Sequence, residues 1–225
     1  MWSLVCDAPK PPKPSTKDVW LPPGKWVPWD ATKIFDGNQT LTGLQFKLSE
    51  IPLFAKAGAV VPLQTMAKAK GPLVWNIWPV LQGDHVVYNG SSYADDGTTQ
   101  KYKSSTAAAW TTSLWHTTAA AGLSPYCSAS STSITAAIAF AAKGNSSRKQ
   151  VLQLRRQPGT VPPTKITCEG KELTKIAAPA SLATLSANAV GYWIATESSL
   201  EVQAGAIMIA LPVGAGADVK TSVCF

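Results

Sequence analysis

The carboxylates best placed for chemistry in this 225-residue chain are Asp95 and Asp96, which are adjacent and precede Gly97. Two carboxylates can act as a general acid and a general base, but only when both reach the same reacting group. Adjacent residues of a strand point to opposite faces, and an Asp beside a turn glycine usually accepts bonds from local backbone N–H groups. We therefore predict a structural role for this pair and assign no catalytic residue.

The other residue types that carry chemistry form no known catalytic or metal-binding pattern. The two histidines, His85 and His116, belong to neither a Gly-x-Ser-x-Gly elbow nor a His-Glu-x-x-His helix. Asp84 adds a third acidic group near Asp95 and Asp96, but Ca²⁺ usually takes about six to eight oxygen ligands. The sequence also lacks a glycine-rich phosphate-binding motif. We predict no metal site and no cofactor.

Nine tryptophans stand out in the composition, and several of them cluster around turns. Aromatic rings on an exposed sheet face can stack on the apolar faces of sugar rings. Trp26 and Trp29 lie shortly after the turn at Pro22–Gly24 and are the candidates for sugar stacking, with Trp75 and Trp78 as a second pair. The alternative is that these rings pack in the core, where tryptophan is mostly found.

The four cysteines are widely spaced, at Cys6, Cys127, Cys168 and Cys224. None belongs to a Cys-x-x-Cys pair, which argues against a structural zinc site and against a dithiol redox motif. An even number permits disulfides, and four cysteines allow three pairings. The pairing stays open at this point.

The overall charge and hydropathy exclude several classes of protein. The formal net charge is +7, but the lysines are scattered along the chain instead of clustering with arginine, so we expect a basic solvated surface and no nucleic-acid partner. No apolar run approaches the ~18 residues of a membrane span. Hydrophobic residues make up 45% of the chain, which is enough for a folded core.

Turn signals and alternating apolar residues predict many short strands. Pro22-Pro23-Gly24 and Asp36-Gly37 are turns. Leu44, Phe46 and Leu48 alternate with polar residues in the period of a half-buried strand. The segments 51–54 and 59–63 read as short apolar strands, and their prolines indicate strand starts or sheet edges.

The second half of the chain continues in the same pattern. Asn89-Gly90 is typical of a type I′ hairpin turn, and Glu169-Gly170-Lys171 also turns the chain. Ile134, Ala136, Ile138 and Phe140 share one face at period two, although the alanine content of this segment leaves a helix possible. Leu152 and Leu154 alternate with Gln153 and Arg155. No βαβ alternation is present, so we predict an all-β fold of two antiparallel β-sandwich domains in tandem.

The stretch from Leu21 to Pro62 resembles the segment that follows the catalytic barrel in glycoside hydrolase family 31, the α-glucosidase and α-xylosidase family. The shared motifs are a Leu-Pro-x-Gly-x-Trp turn (21–26), an Asp-Gly turn (36–37) and an Ile-Pro-x-Phe…Gly…Pro strand pair (51–62). Farther on, residues 93–102 are similar to the family's Tyr-x-Asp-Asp-Gly…Tyr turn. Residues 4–9 resemble the strand that leaves the barrel, and 148–173 the late strands of the last module.

This resemblance implies a small proximal and a larger distal β-sandwich without the barrel. We assign residues 1–18 to an extended lead-in and linker, 19–70 to the proximal sandwich and 71–225 to the distal sandwich. The family's nucleophile and acid/base lie in the barrel, and the motifs around them are absent here. The chain is therefore expected to be non-catalytic by itself and to support the barrel of a parent that hydrolyses terminal α-glucosidic bonds.

Two alternatives from other classes remain open: a free-standing carbohydrate-binding module that takes an oligosaccharide, and a structural subunit of a larger assembly. We do not expect this sequence to reveal the sugar specificity, because the resemblance implies that the loops that determine it lie outside this chain. Whether Met1 is the true start, whether the chain exists alone and its oligomeric state are left open as well.

Three Asn-x-Ser/Thr sequons begin at Asn38, Asn89 and Asn145, and we predict N-glycosylation there. Together with the resemblance they favour a parent in the secretory pathway, either vacuolar or lysosomal or extracellular. The first residues show no basic region followed by an apolar core, so a signal peptide would lie upstream of Met1.

Overall fold

The computed structural model describes residues 14–30, 33–47, 51–64, 71–78, 87–95, 100, 103, 109–119, 137–143, 149–155, 162–186, 188–196, 203–211 and 219–224. In these ranges the regular structure is β-strand, apart from the 3₁₀ turn at Leu182–Thr184 and the single 3₁₀ residue Lys103. The predicted all-β class is confirmed. None of the described residues forms a helix long and apolar enough to cross a membrane.

The strands are numbered in chain order. The first eight are β1 (Ser15–Leu21), β2 (Lys25–Pro28), β3 (Phe35–Asp36), β4 (Gln39–Phe46), β5 (Phe54–Lys56), β6 (Val60–Gln64), β7 (Leu73–Ile77) and β8 (Val87–Asp95). The next eight are β9 (Ala109–Ala119), β10 (Ala137–Lys143), β11 (Gln150–Leu154), β12 (Lys165–Cys168), β13 (Lys171–Glu172), β14 (Gly191–Ile194), β15 (Ile207–Ala210) and β16 (Val219–Cys224).

These strands form four sheets in the described part of the chain. Strands β1 and β4 form a two-stranded ribbon, and a three-stranded sheet has the order β3-β2-β5. The two larger sheets have the orders β14-β15-β11-β7-β6 and β13-β12-β16-β10-β9-β8. Their pairs are antiparallel as predicted except β7–β11, which is parallel. The tandem arrangement of two sandwiches stays a prediction.

The two predicted turns near the start of the chain are confirmed, and they lie against each other. Gly24 has a φ of 120°, which favours glycine. The backbone N–H of Gly37 donates to the Gly24 carbonyl oxygen at 2.5 Å, and that of Asn38 donates to the Leu21 carbonyl oxygen at 2.8 Å. A Cβ on Gly37 would collide with the Pro22 carbonyl oxygen. The glycines of the two turns therefore allow the backbone segments 22–24 and 36–38 to approach each other closely.

The five-stranded sheet is buried on both faces, although the residues of β11 alternate between apolar and polar as in a half-buried strand. Leu152 and Leu154 face a core shared with Ile166 and Val223 of the six-stranded sheet. The opposite face of the same strands packs against Leu182 of the 3₁₀ turn. Strand β11 is central, so its polar residues are buried too. The alternation of leucine with Gln153 and Arg155 thus does not mark a solvent-facing side.

Two further expectations about local structure are resolved. The segment around 134–140, left open between strand and helix, contains the strand β10, which pairs with β9 and β16. The turn at Glu169-Gly170 is confirmed as the tight connection between β12 and β13, with φ values of 51° and 75°. Pro62 lies in β6, the edge strand of its sheet, as its missing N–H requires.

The prediction of a strand over 51–54 is wrong at its start, because β5 begins only at Phe54. Residues 51–53 are exposed and irregular. Pro52 supplies no N–H for a ladder and restricts the residue before it. Strand β6 then pairs with β7, so the sheet of later strands takes its edge from within the range 19–70.

The predicted hairpin turn at Asn89-Gly90 is also wrong. Both residues lie inside β8 and pair with Trp115 and Leu114 of β9. Glycine stands at position 90 because another backbone approaches it closely: a Cβ there would meet the Val60 carbonyl oxygen and would lie 3.0 Å from Cγ1 of that valine. A glycine can mark a close approach between strands as well as a turn.

This close approach leads to a testable expectation. Replacing Gly90 by alanine should lower the free energy of unfolding by about 1–3 kcal/mol, because β6 and β8 must move apart. Urea titration followed by circular dichroism measures it. Gly205→Ala is a control for which no atom lies within 4 Å of the new Cβ, although its φ of 79° adds local strain. Equal stability of Gly90→Ala and the parent chain would contradict the close approach.

Candidate functional site

The predicted chemical residues are scattered in the structure. Asp95 is the last residue of β8, opposite Ala109, and His116 lies in β9 opposite Phe140. Asp84, His85 and Asp96 lie outside the described residues. In the part of the chain that the structure describes, no three acidic, histidine or cysteine side chains come together as metal ligands would.

The cysteine pairing can be narrowed by strand register. Cys168 is buried in β12 and its register partner in β16 is Thr221, whereas Cys224 lies opposite Lys165. Three residues along a strand separate Cys224 from the position opposite Cys168, which places their Cα atoms about 10 Å apart. A disulfide usually needs less than about 7 Å. This register therefore excludes a bond between Cys168 and Cys224, while Cys6 and Cys127 lie outside the described residues.

The most unusual polar arrangement lies where the three-stranded sheet meets the five-stranded sheet. Five side chains form it, and we call them the tryptophan–arginine junction: Trp29, Asn76, Trp78, Gln153 and Arg155. Trp29 follows β2, Asn76 and Trp78 lie in and just after β7, and Gln153 and Arg155 lie in and just after β11. The parallel pairing of β7 with β11 places Asn76 beside Gln153 and brings the ends of both strands to the same side.

Hydrogen bonds connect the polar members of the junction. Nε of Arg155 donates to Oδ1 of Asn76 at 2.9 Å, and Nε2 of Gln153 donates to the same oxygen at 2.5 Å. Nη1 of Arg155 donates to the backbone carbonyl oxygen of Trp29 at 2.5 Å. The arginine therefore ties the end of β11 to β7 and to the segment that follows β2.

Aromatic contacts complete the junction. The rings of Trp29 and Trp78 have centroids 4.9 Å apart at an angle of 58°. The guanidinium carbon of Arg155 lies 4.5 Å from the centroid of the Trp29 ring and 5.2 Å from that of Trp78. Both distances are within the range of a cation–π interaction, which gains strength when the cation is desolvated. Trp78 also packs against Val27 and Ala55 in the core of the small sheet.

The electrostatics of the junction are those of a buried cation. Arg155 is only 3% exposed. Burial lowers its pKa to about 10, and the negative charge of Asp30 partly opposes this effect. Arg155 therefore remains protonated at neutral pH, held by neutral oxygens and two aromatic rings. Because the charge of Arg155 does not change near pH 7, the junction is suited to joining the two sheets and not to acid–base catalysis.

The junction also contains donors for which the described protein atoms supply no acceptor. They are Nε1 of Trp29, Nε1 of Trp78, Nδ2 of Asn76 and Nη2 of Arg155. Leaving a buried donor unsatisfied costs roughly 1–3 kcal/mol. The hydrogen bonds between described residues therefore do not use all of the donors of the junction.

The two predicted sugar-stacking residues occupy different environments. Trp26 is half-buried, and its Nε1 donates to the Pro22 carbonyl oxygen at 2.8 Å, so it fastens the first turn. Trp29 is half-buried in the junction. Sugar stacking by Trp26 and Trp29 stays a prediction, and the contacts of Trp29 give it a packing role. The second pair also packs, because Trp75 and Trp78 are both buried.

The structure singles out a different aromatic side chain, Trp20, which sequence reasoning missed. It lies in β1 and is 61% exposed. The sequence signal that could have identified it is the apolar Leu21 directly after it. Neighbours in a strand face opposite sides, so if Leu21 faces the core, then Trp20 faces the solvent.

Exposed aliphatic residues are concentrated beside the small sheet. Ile34, Ile51 and Leu53 are all exposed, and we call them the small-sheet patch. Ile34 and Leu53 directly precede Phe35 and Phe54, whose rings contact each other edge to face with centroids 6.1 Å apart. Large exposed apolar side chains in one region commonly mark a surface that contacts another protein segment.

The predicted glycosylation residues are distributed over different elements. Asn38 is exposed in the turn between β3 and β4, Asn89 is exposed within β8, and Asn145 lies outside the described residues. Asn38 has a φ of 58°, in the left-handed region that asparagine tolerates better than most residues. Glycosylation at all three stays a prediction.

Comparison with known proteins agrees with the motifs. Residues 4–61 match the family model described as the glycosyl hydrolase family 31 C-terminal domain. A curated relative, a 1,6-alpha-glucosyltransferase of Sporosarcina globispora, is 30% identical over 95 residues, which make up 41% of this chain and 7% of that protein. The predicted resemblance to the C-terminal region of this family is confirmed.

Solved structures extend the likeness of fold over nearly the whole chain. A glycoside hydrolase family 31 dextranase of Flavobacterium johnsoniae matches with a TM-score of 0.65 at 18% identity, over 93% of this chain and 24% of that one. An alpha-1,4-glucan lyase of Gracilariopsis lemaneiformis matches with a TM-score of 0.65 at 15% identity, over 92% of this chain and 20% of that one. The chain thus spans about a quarter or less of the length of these proteins.

Proposed function

Taking residues 4–61 as a glycosyl hydrolase family 31 C-terminal domain, we propose that this chain is the non-catalytic β-sandwich region of an α-glucosidase-like glycoside hydrolase. The parent would hydrolyse terminal α-glucosidic bonds in carbohydrates. The observation that carries the proposal is coverage: the fold of nearly the whole chain corresponds to about a quarter of a family 31 enzyme. The motifs expected around the family's catalytic carboxylates are absent from the sequence.

Within this proposal the role of the chain is to support the catalytic barrel. The small-sheet patch is the surface that we assign to this contact, because Ile34, Ile51 and Leu53 would otherwise remain in water. The tryptophan–arginine junction ties the small sheet, which carries this patch, to the five-stranded sheet. A barrel that contacts the patch would therefore be connected to the core of the five-stranded sheet, which suits a supporting domain.

As part of this proposal, we place the parent protein in the secretory pathway, with a vacuolar, lysosomal or extracellular destination. The exposure of Asn38 and Asn89 is compatible with modification there. The alternative of a free-standing carbohydrate-binding module requires saturable binding of maltooligosaccharides by the isolated chain, and that of an assembly subunit requires other chains at fixed stoichiometry.

One experiment tests the proposed function directly. An antibody raised to this chain should capture from the source organism a protein several times larger than 23.7 kDa that hydrolyses a chromogenic α-glucoside. The pure 225-residue chain should show no turnover, because the catalytic carboxylates are expected in the absent part. The assay with captured protein provides the positive control.

Two results would contradict the proposal. Turnover by the pure chain that disappears on Asp95→Asn would place catalysis within it. A native antigen near 23.7 kDa, after removal of glycans, would mean that the sandwiches stand alone. Calorimetric titration with maltooligosaccharides and co-purification would then separate the binding module from the assembly subunit.

A further inference from the structure

The exposed indole of Trp20 lies on a polar face of the two-stranded ribbon. Its register partner is Thr40, and the pair Thr16–Gln45 lies farther along the same ribbon. All of these residues are exposed. The opposite face carries the half-buried Val19 and its partner Leu41. An aromatic ring that is 61% exposed among polar side chains presents an apolar surface that nothing in the described chain covers.

A sequon ends at the residue that faces this ring. Thr40, the partner of Trp20, is the third residue of Asn38-Gln39-Thr40. Asn38 is two residues before Thr40, in the turn that leads into β4, and its φ of 58° is not that of a strand residue. Its backbone N–H donates to the Leu21 carbonyl oxygen, which fixes the turn against β1. Its side chain is exposed and available to an enzyme.

We propose that Asn38 carries an N-linked oligosaccharide whose first sugar ring lies on the indole of Trp20. In the transfer, Nδ2 of Asn38 bonds to C1 of the first sugar of a polyprenyl-diphosphate-linked oligosaccharide. The bond from C1 to the diphosphate oxygen breaks, the diphosphate leaves with its electron pair, and one amide proton is lost. The proposal rests on the secretory location in the proposed function.

The apolar face of a pyranose suits this surface. Stacking on the indole would remove apolar area of both rings from water while the sugar hydroxyls remain near Thr40. The first sugar starts at the side chain of Asn38, whose backbone N–H is hydrogen-bonded to the residue directly after Trp20, so the sugar has only a short distance to span. The glycan would then be a structural part of the ribbon, which has only two strands and is the least supported sheet in the described chain.

Asn89 serves as an internal comparison. It is exposed as well, but it lies within β8 and pairs with Trp115, without a turn that holds it. Gly90 beside it is closely approached by Val60. A glycan there is expected to have no influence on the ribbon, so Asn89→Gln is a matched control for loss of a sequon.

Occupancy is tested on the protein captured from its source. Tryptic cleavage after Lys33 and Lys47 isolates Asn38 in a peptide that contains no other sequon. Amidase treatment in ¹⁸O-water should convert Asn38 to ¹⁸O-labelled aspartate in most of the peptide. Recovery of the peptide with unmodified asparagine would overturn the proposal, whereas the proposed function would stand if the captured protein still hydrolyses the glucoside.

Stacking is tested with the chain secreted from a eukaryotic host. Trimming the glycan to its first sugar should leave Tm unchanged, whereas removing that sugar should lower Tm by about 2–4 °C, corresponding to a contact of about 1 kcal/mol. In Trp20→Ala the same removal should change Tm by less than half as much. Hydroxyl-radical labelling of Trp20 in the captured full-length protein should increase when the sugar is removed.

The opposite results are equally clear. An equal change of Tm in Trp20→Ala and in the parent chain would overturn stacking. Labelling of Trp20 that stays low after removal of the sugar would mean that the rest of the parent protein covers this ring, which would overturn it too. Asn38→Asp serves as the control for the charge that the amidase introduces, and Asn89→Gln should leave the Tm shift in place.

Discussion

Replacing Trp78 by alanine should lower the free energy of unfolding by about 3–5 kcal/mol. The ring is 1% exposed, lies 4.9 Å from the Trp29 ring and packs against Val27 and Ala55. Its removal leaves a cavity where the small sheet joins the five-stranded sheet and exposes one side of the Arg155 guanidinium. Urea titration monitored by circular dichroism gives the change in free energy.

The matched control for Trp78→Ala is Trp20→Ala in the unglycosylated chain. The same side chain is removed, but from a ring that is 61% exposed, so the effect should be within about 0.5 kcal/mol. A variant such as Trp78→Ala can also fail to fold, in which case Trp78→Phe, which keeps an aromatic ring, gives the measurable loss. Equal effects at positions 78 and 20 would mean that the junction does not hold the two sheets together.

Arg155 is expected to act through packing more than through its charge. Arg155→Ala should cost about 2–4 kcal/mol, because it creates a cavity between two indoles and leaves the Trp29 carbonyl oxygen without its donor. Arg155→Met should cost less than about 1.5 kcal/mol, because the methionine fills much of the space without a buried charge. Denaturant titrations of both variants measure the difference.

The dependence on pH separates the charge from the packing. Burial lowers the folded-state pKa of Arg155 to about 10, below its unfolded value. Between these two values the unfolded chain binds more protons than the folded chain, so the stability contributed by this group rises with pH above about 10. Arg155→Met should lack this rise. If methionine is as destabilising as alanine, then the hydrogen bonds of the guanidinium matter more than its packing. A rise that persists in Arg155→Met would mean that another group causes it.

Much of the fold could be predicted from short-range patterns. The turns at 22–24, 36–37 and 169–170, the strand β4 and the edge position of Pro62 depend on backbone preferences that a few neighbouring residues set. The family resemblance was also legible, because its motifs are such turns and prolines in a fixed order. These features survive in the sequence because each is local.

The errors arose where contacts between distant residues decided the outcome. Gly90 looks like half of a hairpin turn, but it is glycine because Val60 of another sheet approaches it. Gln153 and Arg155 look like the solvent side of a strand, but β11 is central and both of its faces are covered. The residues that neighbour Gly90 or Gln153 in the sequence do not show which strand or sheet lies against them in the fold.

The candidate sites divide in the same way. The all-β class, the motifs of a glycoside hydrolase family 31 C-terminal region and the three sequons are all predictable from local patterns in the sequence. The packing of Trp29 against Trp78 and Arg155, and the exposure of Trp20 opposite Thr40, are not predictable from local patterns. The burial of a tryptophan depends on which sheet lies against its ring, and the residues that meet there can be more than a hundred positions apart in the sequence.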